Sequence, residues 1–181
     1  MRVSGGELRS REIHVPRGRS IRPTPGRVRE ALFSILGERV RGARVLDLFA
    51  GTGLIGFEAL SRGAAHVTFV ESHAPTAARI RAAAALLGVE DRATVVSARA
   101  ERAAGAVAGP FDIVYADPPY ADAPPSGAIG ALRERGALAP GSLVVYEHRP
   151  GTPELAVDGL AVHRRARYGD VALDFAGFAD A

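Results

Sequence analysis

The run Arg44-Val45-Leu46-Asp47-Leu48-Phe49 reads as a buried strand, and it passes through Ala50-Gly51-Thr52-Gly53 straight into a helical spacing of Leu54, Ile55, Phe57 and Leu60 that ends near Arg62. No other stretch restricts the fold as much. A strand that turns on glycine into a helix keeps the backbone N–H groups of the turn open to a ligand, because glycine has no side chain to screen them. The unit also favours a parallel sheet, since a crossover helix lets the next strand run in the same direction. Ala65 to Val70 supplies that next strand, and Glu71 stands at its end, 20 residues after Gly51. A carboxylate there can accept both hydroxyls of a ribose.

The alternation continues. A helix from about Ala74 to Leu87 closes at Gly88, Ala93 to Ser97 is a third strand, and a weak helix is expected at about Ala100 to Ala108. Phe111 to Ala116 is the next strand, Ser126 to Arg135 is helical, and Ser142 to Glu147 is a strand again. Leu160 to Tyr168 and Val171 to Phe175, joined at Gly169-Asp170, form a terminal hairpin. Strands alternating with helices predict an α/β fold: a mostly parallel sheet covered on both faces, with one antiparallel pair at its end.

The strand from Phe111 must stop at Asp117, because neither proline of Asp117-Pro118-Pro119-Tyr120 has an N–H to give to a ladder. Those four residues make a stiff loop offering a carboxylate, carbonyl oxygens without donors, and an aromatic ring. Such a loop suits a flat group carrying an NH2, with two acceptors for its hydrogens and one ring for its face. It is equally compatible with a strand-ending turn and a half-buried tyrosine.

Before the first strand the chain is of another kind. Residues 1–44 hold eleven arginines against four acids, whereas the rest holds twelve against sixteen. A basic front on a mildly acidic body points to an anionic partner. Val3, Leu8, Ile13 and Val15, set among Gly5-Gly6 and charges, predict a small hairpin or extended arm over residues 1–25 that packs nowhere deeply. From Gly26, Val28, Ala31, Leu32, Ile35 and Leu36 fall at helical spacing, with Thr24 as N-cap, Pro25 in the first position and Gly37 at the end. Arg27 and Arg29 then lie where guanidinium groups and free N–H donors meet, which suits phosphate. The body, residues 26–181, is long enough for one well-buried domain. There are no cysteines, and the five histidines show no ligand spacing, so no metal is expected. No apolar run reaches the roughly 20 residues of a membrane span. A cytoplasmic monomer without a membrane partner is expected.

Gly51, Gly53 and Gly56 formally satisfy GxGxxG, which keeps a nicotinamide dinucleotide open as a ligand. Asp47 argues against it. An acid inside a buried strand needs a partner, and it would repel a pyrophosphate four residues further on. A ligand with an amine and a positive sulfonium would be attracted, and S-adenosylmethionine is such a ligand. The plainer role for Asp47 is to cap the N–H groups of the glycine turn.

Taken together, Asp47-Leu48-Phe49-Ala50-Gly51-Thr52-Gly53 resembles the first motif of Class I, Rossmann-like methyltransferases. Glu71 is similar to the acid of their second motif, and Asp117-Pro118-Pro119-Tyr120 to the fourth motif of amino-nitrogen methylases. More specifically, Arg22-Pro23-Thr24, Arg27-Val28-Arg29-Glu30-Ala31-Leu32-Phe33 and Gly56-Phe57-Glu58-Ala59-Leu60-Ser61-Arg62-Gly63 resemble the RsmD family of small-subunit ribosomal RNA guanine-N2 methyltransferases. The likeness runs from about Arg2 to Phe175.

The resemblance implies a Rossmann-like methyltransferase fold with a seven-stranded sheet, and methyl transfer from S-adenosylmethionine to the exocyclic N2 of a guanine in ribosomal RNA, within a small-subunit particle. It places Asp117, Pro118, Pro119 and Tyr120 at the reacting amine. Asp47, Phe49, Gly51, Thr52, Gly53, Glu71, Ser72, Arg99 and Ala100 fall to the cofactor, and Arg17, Arg19, Arg22, Arg27 and Arg29 to RNA. Asp117 and the Pro118 carbonyl would accept the two amine hydrogens, and Tyr120 would stack on a flipped base. One position departs from the pattern: relatives carry Asp or Asn near the end of the third strand for the adenine N6, where this chain has Arg99, which cannot accept a hydrogen bond. That leaves the adenine to backbone groups of Arg99 and Ala100. The DPPY loop is shared with DNA adenine-N6 methylases, so that activity stays open, as does an RNA-binding protein that has lost catalysis.

Overall fold

The computed structural model describes residues 1–13, 24–119 and 123–178. Seven strands form one sheet: β1 (Arg44–Asp47), β2 (His66–Val70), β3 (Ala93–Val96), β4 (Phe111–Ala116), β5 (Leu138–His148), β6 (Leu160–Tyr168) and β7 (Val171–Phe178). Their order is β3-β2-β1-β4-β5-β7-β6. The first five run parallel, and β7 pairs antiparallel with both β5 and β6. The α/β, Rossmann-like arrangement with a terminal hairpin is therefore present.

Five helices cover the sheet: α1 (Gly26–Leu36), α2 (Leu54–Ser61), α3 (Ala74–Leu87), α4 (Ala100–Ala103) and α5 (Ser126–Glu134). Side chains alternate along a strand, so each strand feeds two cores. Val45, Ile113, Tyr115 and Val145 point into one with α1, α2 and α3, while Leu46, Val114, Ala116, Val144 and Tyr146 point into the other with α4 and α5. Phe57 of α2 meets Phe69 of β2 with ring centroids 5.1 Å apart. Truncating either ring would cost about 3–5 kcal/mol. The helix expected at 100–108 is a single turn, α4, because Ala104 and Gly105 are followed by a further glycine, Gly109, and a proline, Pro110.

The amino-terminal segment corrects the expectation that nothing there packs deeply. Val3 and Ile13 are only 2% and 1% exposed and belong to the same core as α1 and α2. Arg2 and Glu12 form an antiparallel bridge, so the expected hairpin-like pairing is there, but it lies against α2. The reason is in α2 itself: Leu-Ile-Gly-Phe-Glu-Ala-Leu-Ser has no polar face, and all eight of its residues are buried. The sheet covers one side, and a second element must cover the other. Glu58, fully buried in α2, accepts from Ser4 N (2.8 Å), Ser4 Oγ (2.8 Å) and Gly5 N (2.9 Å). Ser61 accepts from Leu8 N through its hydroxyl and from Glu7 N through its carbonyl, each at 2.8 Å. Gly6 lies so close that a β-carbon there would sit 1.8 Å from the Ser61 carbonyl oxygen.

Candidate active site

A cleft of about 670 Å³ opens at the carboxyl ends of β1, β2 and β4. It lies where the chain leaves β1 for β2 on one side while β4 pairs on the other, the place where open α/β sheets carry ligands. Asp47, Phe49, Gly51, Thr52, Glu71, Ser72, Arg99 and Ala100 line it, and so do Asp117, Pro118 and Pro119. Residues from three strand ends and the start of α4 thus meet as the sequence motifs anticipate. Gly53 does not face the cleft. It takes φ +76 at the start of α2, where a β-carbon would come within 2.9 Å of the Phe57 ring. Tyr120, Arg17, Arg19 and Arg22 lie outside the described residues.

Asp47 is 1% exposed and its Oδ2 accepts from Gly56 N at 3.2 Å. The capping role is thus realised, but on the first turn of α2 rather than on the glycine turn. Burial pushes its carboxyl up to about 7; the Gly56 bond opposes this and the charge of Glu71 adds to it. Gly56 completes the GxGxxG pattern for a packing reason: a β-carbon there would stand 2.1 Å from the Phe69 ring, so glycine lets α2 approach β2. Glu71 pins the turn from the other side. Its Oε2 accepts from Gly51 N at 2.9 Å and its Oε1 from His73 N at 2.7 Å.

At the end of β4, Asp117 is half-buried, Pro118 buried and Pro119 exposed. Burial raises the Asp117 carboxyl to about 8, helped by the charges of Glu147 and Asp47. Glu147, near the end of β5, is 1% exposed. The Tyr115 hydroxyl donates to it, and the Thr24 hydroxyl donates to its Oε2 at 3.3 Å. Burial pushes the Glu147 carboxyl up and these two hydrogen bonds pull it down. Tyr115 is itself held far above the usual phenol range, first by burial and then by Glu147.

The sequence motifs do not place Thr24, Tyr115 and Glu147 at the site. Thr24 is expected to cap α1; instead Pro25 occupies the cap position without a side-chain bond, and Thr24 turns inward to Glu147. A signal for Glu147 does exist in the sequence, because an acid closing an apolar strand poses the same question as Asp47.

Arg27 is exposed at the start of α1. Arg29, expected on RNA, is not placed for it. It is 7% exposed, with Nε 3.4 Å from Glu58 Oε2 and Nη2 donating to the Arg2 carbonyl at 3.2 Å. Two residues along a helix turn the side chain to the opposite side, so Arg27 and Arg29 cannot both face solvent. Arg99 is exposed at the rim and Ala100 buried. Among the described residues no group of three or more His, Asp or Glu is disposed to hold a metal ion, and no helix is long and apolar enough to cross a membrane.

Comparison with known proteins bears on the family and the fold. The model of a family described as Conserved hypothetical protein 95 matches residues 1–177. The Ribosomal RNA small subunit methyltransferase D of Escherichia coli K12 is 34% identical over 174 residues, 95% of this chain and 87% of that one. Among solved structures, a putative methyltransferase, yhhF, from Escherichia coli superposes with a TM-score of 0.89 at 33% identity, covering 100% of this chain and 99% of that one. An RNA methyltransferase from Salinibacter ruber, solved in complex with S-adenosyl-L-homocysteine, shares the fold at 18% identity, with a TM-score of 0.63 over 88% of this chain and 95% of that one. With a family model spanning nearly its whole length and curated relatives above 30% identity, the chain belongs to the Conserved hypothetical protein 95 family, that of the RsmD methyltransferases.

Proposed function

We propose that this protein methylates the exocyclic N2 of a guanine in small-subunit ribosomal RNA, with S-adenosylmethionine as methyl donor. The observation that carries the reading is a cleft lined by two carboxyl groups, the buried Asp47 and the half-buried Asp117, held up to about 7 and about 8. Among the described residues no cation offsets either acid, and a ligand with a positive sulfonium and an ammonium group would supply one. The volume, the glycine turn and Glu71 suit a nucleoside with an amino-acid tail. Relatives named as ribosomal RNA methyltransferases support the polymer.

Once bound, S-adenosylmethionine supplies a methyl group carried on a positively charged sulfur. Asp47 would hold its cationic part, Glu71 its ribose, and the backbone about Arg99 and Ala100 its adenine. Asp117 and the Pro118 carbonyl accept the two hydrogens of the target amine. An amine conjugated with its ring is a poor nucleophile, because its lone pair is delocalised; acceptors at both hydrogens let the nitrogen pyramidalise and free that pair. Asp117 takes the proton that the nitrogen loses on becoming a secondary amine. The acceleration comes from alignment and fixed charges rather than a strong base. The base has to leave its stack to reach the loop, and Arg27 meets the flanking backbone.

A tritium-transfer assay with naked RNA, free small subunits and DNA tests this. Label in small-subunit RNA, mapped by mass to N2-methylguanine, is expected. Label in DNA but not RNA would instead establish an adenine-N6 methylase.

A further inference from the structure

Three buried groups behind Asp117 have no part in the mechanism above. Tyr115 of β4, Thr24 before α1 and Glu147 of β5 are 3%, 9% and 1% exposed, and both hydroxyls converge on the Glu147 carboxylate. The other charged groups acting on Glu147 and Asp117 are His148, next along β5, and Asp47 at the end of β1, which has Glu71 beside it. Ala116 of β4 pairs with Tyr146 of β5, so the half-buried Asp117 and the buried Glu147 follow on adjacent strands, and neighbouring carboxylates so placed do not both ionise readily. The hydroxyl donors decide between them. They stabilise an anion on Glu147, which receives two O–H bonds, whereas among the described residues no side-chain donor is aimed at Asp117. The negative charge therefore rests on Glu147 and the proton on Asp117.

A protonated Asp117 keeps only a neutral carbonyl acceptor and cannot take the proton that the amine loses. On the reading that the cofactor is S-adenosylmethionine, we propose that Glu147 is a positioning residue: it keeps Asp117 protonated in the empty site, and Asp117 releases that proton to solvent when a positive ligand enters, becoming a charged acceptor able to take the amine's proton only then. The balance is simple, with one proton leaving the Asp117 carboxyl and no bond to carbon altered. The arrangement orders the two binding events, because the amine finds a carboxylate able to take its proton only in a loaded site.

The test compares S-adenosylmethionine with S-adenosylhomocysteine, which has the same nucleoside and amino-acid parts but a neutral sulfur. Calorimetry of the full chain at about pH 7.5, repeated in buffers of different ionisation enthalpy, counts protons released on binding. The wild type should release a substantial fraction of a proton more with the sulfonium than with the thioether. Glu147→Gln should lose most of that excess while its affinity stays within several-fold, and Asp117→Asn should lose the same part. An excess unchanged in Glu147→Gln overturns the proposal, whereas no binding of either ligand to the wild type sinks the cofactor reading instead. Should Glu147→Gln fail to fold, carboxyl carbon resonances of the wild type, assigned with Asp117→Asn, serve. The Asp117 titration should move to lower pH with the sulfonium and much less with the thioether; equal movement with both ligands overturns the proposal.

Discussion

The Arg29 guanidinium lies against the Glu58 carboxylate, Nε to Oε2 3.4 Å, with the two side chains 9% and 0% exposed. Arg62 shares that carboxylate at 2.9 Å, and Ser4 and Gly5 fill its remaining capacity. Glu58 thus joins α1, α2 and the amino-terminal segment.

Breaking this pair is a matter of stability. Arg29→Ala should cost about 1–3 kcal/mol, since Glu58 loses one buried charged partner while Arg62, Ser4 and Gly5 still meet it. Melting should show it, while the salt dependence of RNA binding stays as it was. Arg27→Ala should do the reverse, leaving Tm alone and lowering the salt slope by roughly 0.7–0.9 for the one phosphate it no longer neutralises.

Gly56→Ala should destabilise by about 1–3 kcal/mol, because its methyl group would have to displace the Phe69 ring inside the core. Since Gly56 N also holds Asp47, a weaker affinity for S-adenosylmethionine should accompany the lower Tm. Calorimetry and melting on the same variant check both.

Asp117→Ala should reduce transfer by about 100-fold or more, the range for a positioned proton acceptor. Cofactor affinity should stay within several-fold, since the proposed role of Asp117 is at the target amine. Full activity in this variant would remove Asp117 from the mechanism.

The pH dependence of stability has a definite sign. Asp47 and Asp117 titrate at about 7 and about 8 in the folded chain, above the ordinary carboxylate value of 3.8. The folded state therefore binds more protons than the unfolded one over that interval. Their contribution is fully present below about pH 4 and is lost as pH rises through about 7 to 8. Through these groups Tm of the free protein should fall between about pH 4 and 8, and saturating S-adenosylmethionine should flatten that fall.

The sheet and the cleft lining were legible because they rest on local signals. Glycine turns, proline stops and runs of β-branched residues name strand ends, and in a parallel sheet the ends of β1, β2 and β4 lie together. The illegible part depended on partners far along the chain. Val3 and Ile13 look like arm residues until α2, some tens of positions on, is seen to have no polar side. Arg29 reads as a phosphate ligand beside Arg27 until Glu58 claims it. Thr24 suits a cap by local rule, yet Glu147, 123 residues away, binds its hydroxyl.

Asp47 has its carboxylate in two affairs at once, since it walls the cleft and holds the Gly56 amide at the head of α2. Occupancy of the cleft and the seating of that helix are thereby thermodynamically linked, and such linkage is reciprocal. On the far side of α2 lie residues 1–13, tied down through Glu58 and Ser61. Whatever grips or loosens that outer segment is felt, through one helix, by whatever occupies the cleft.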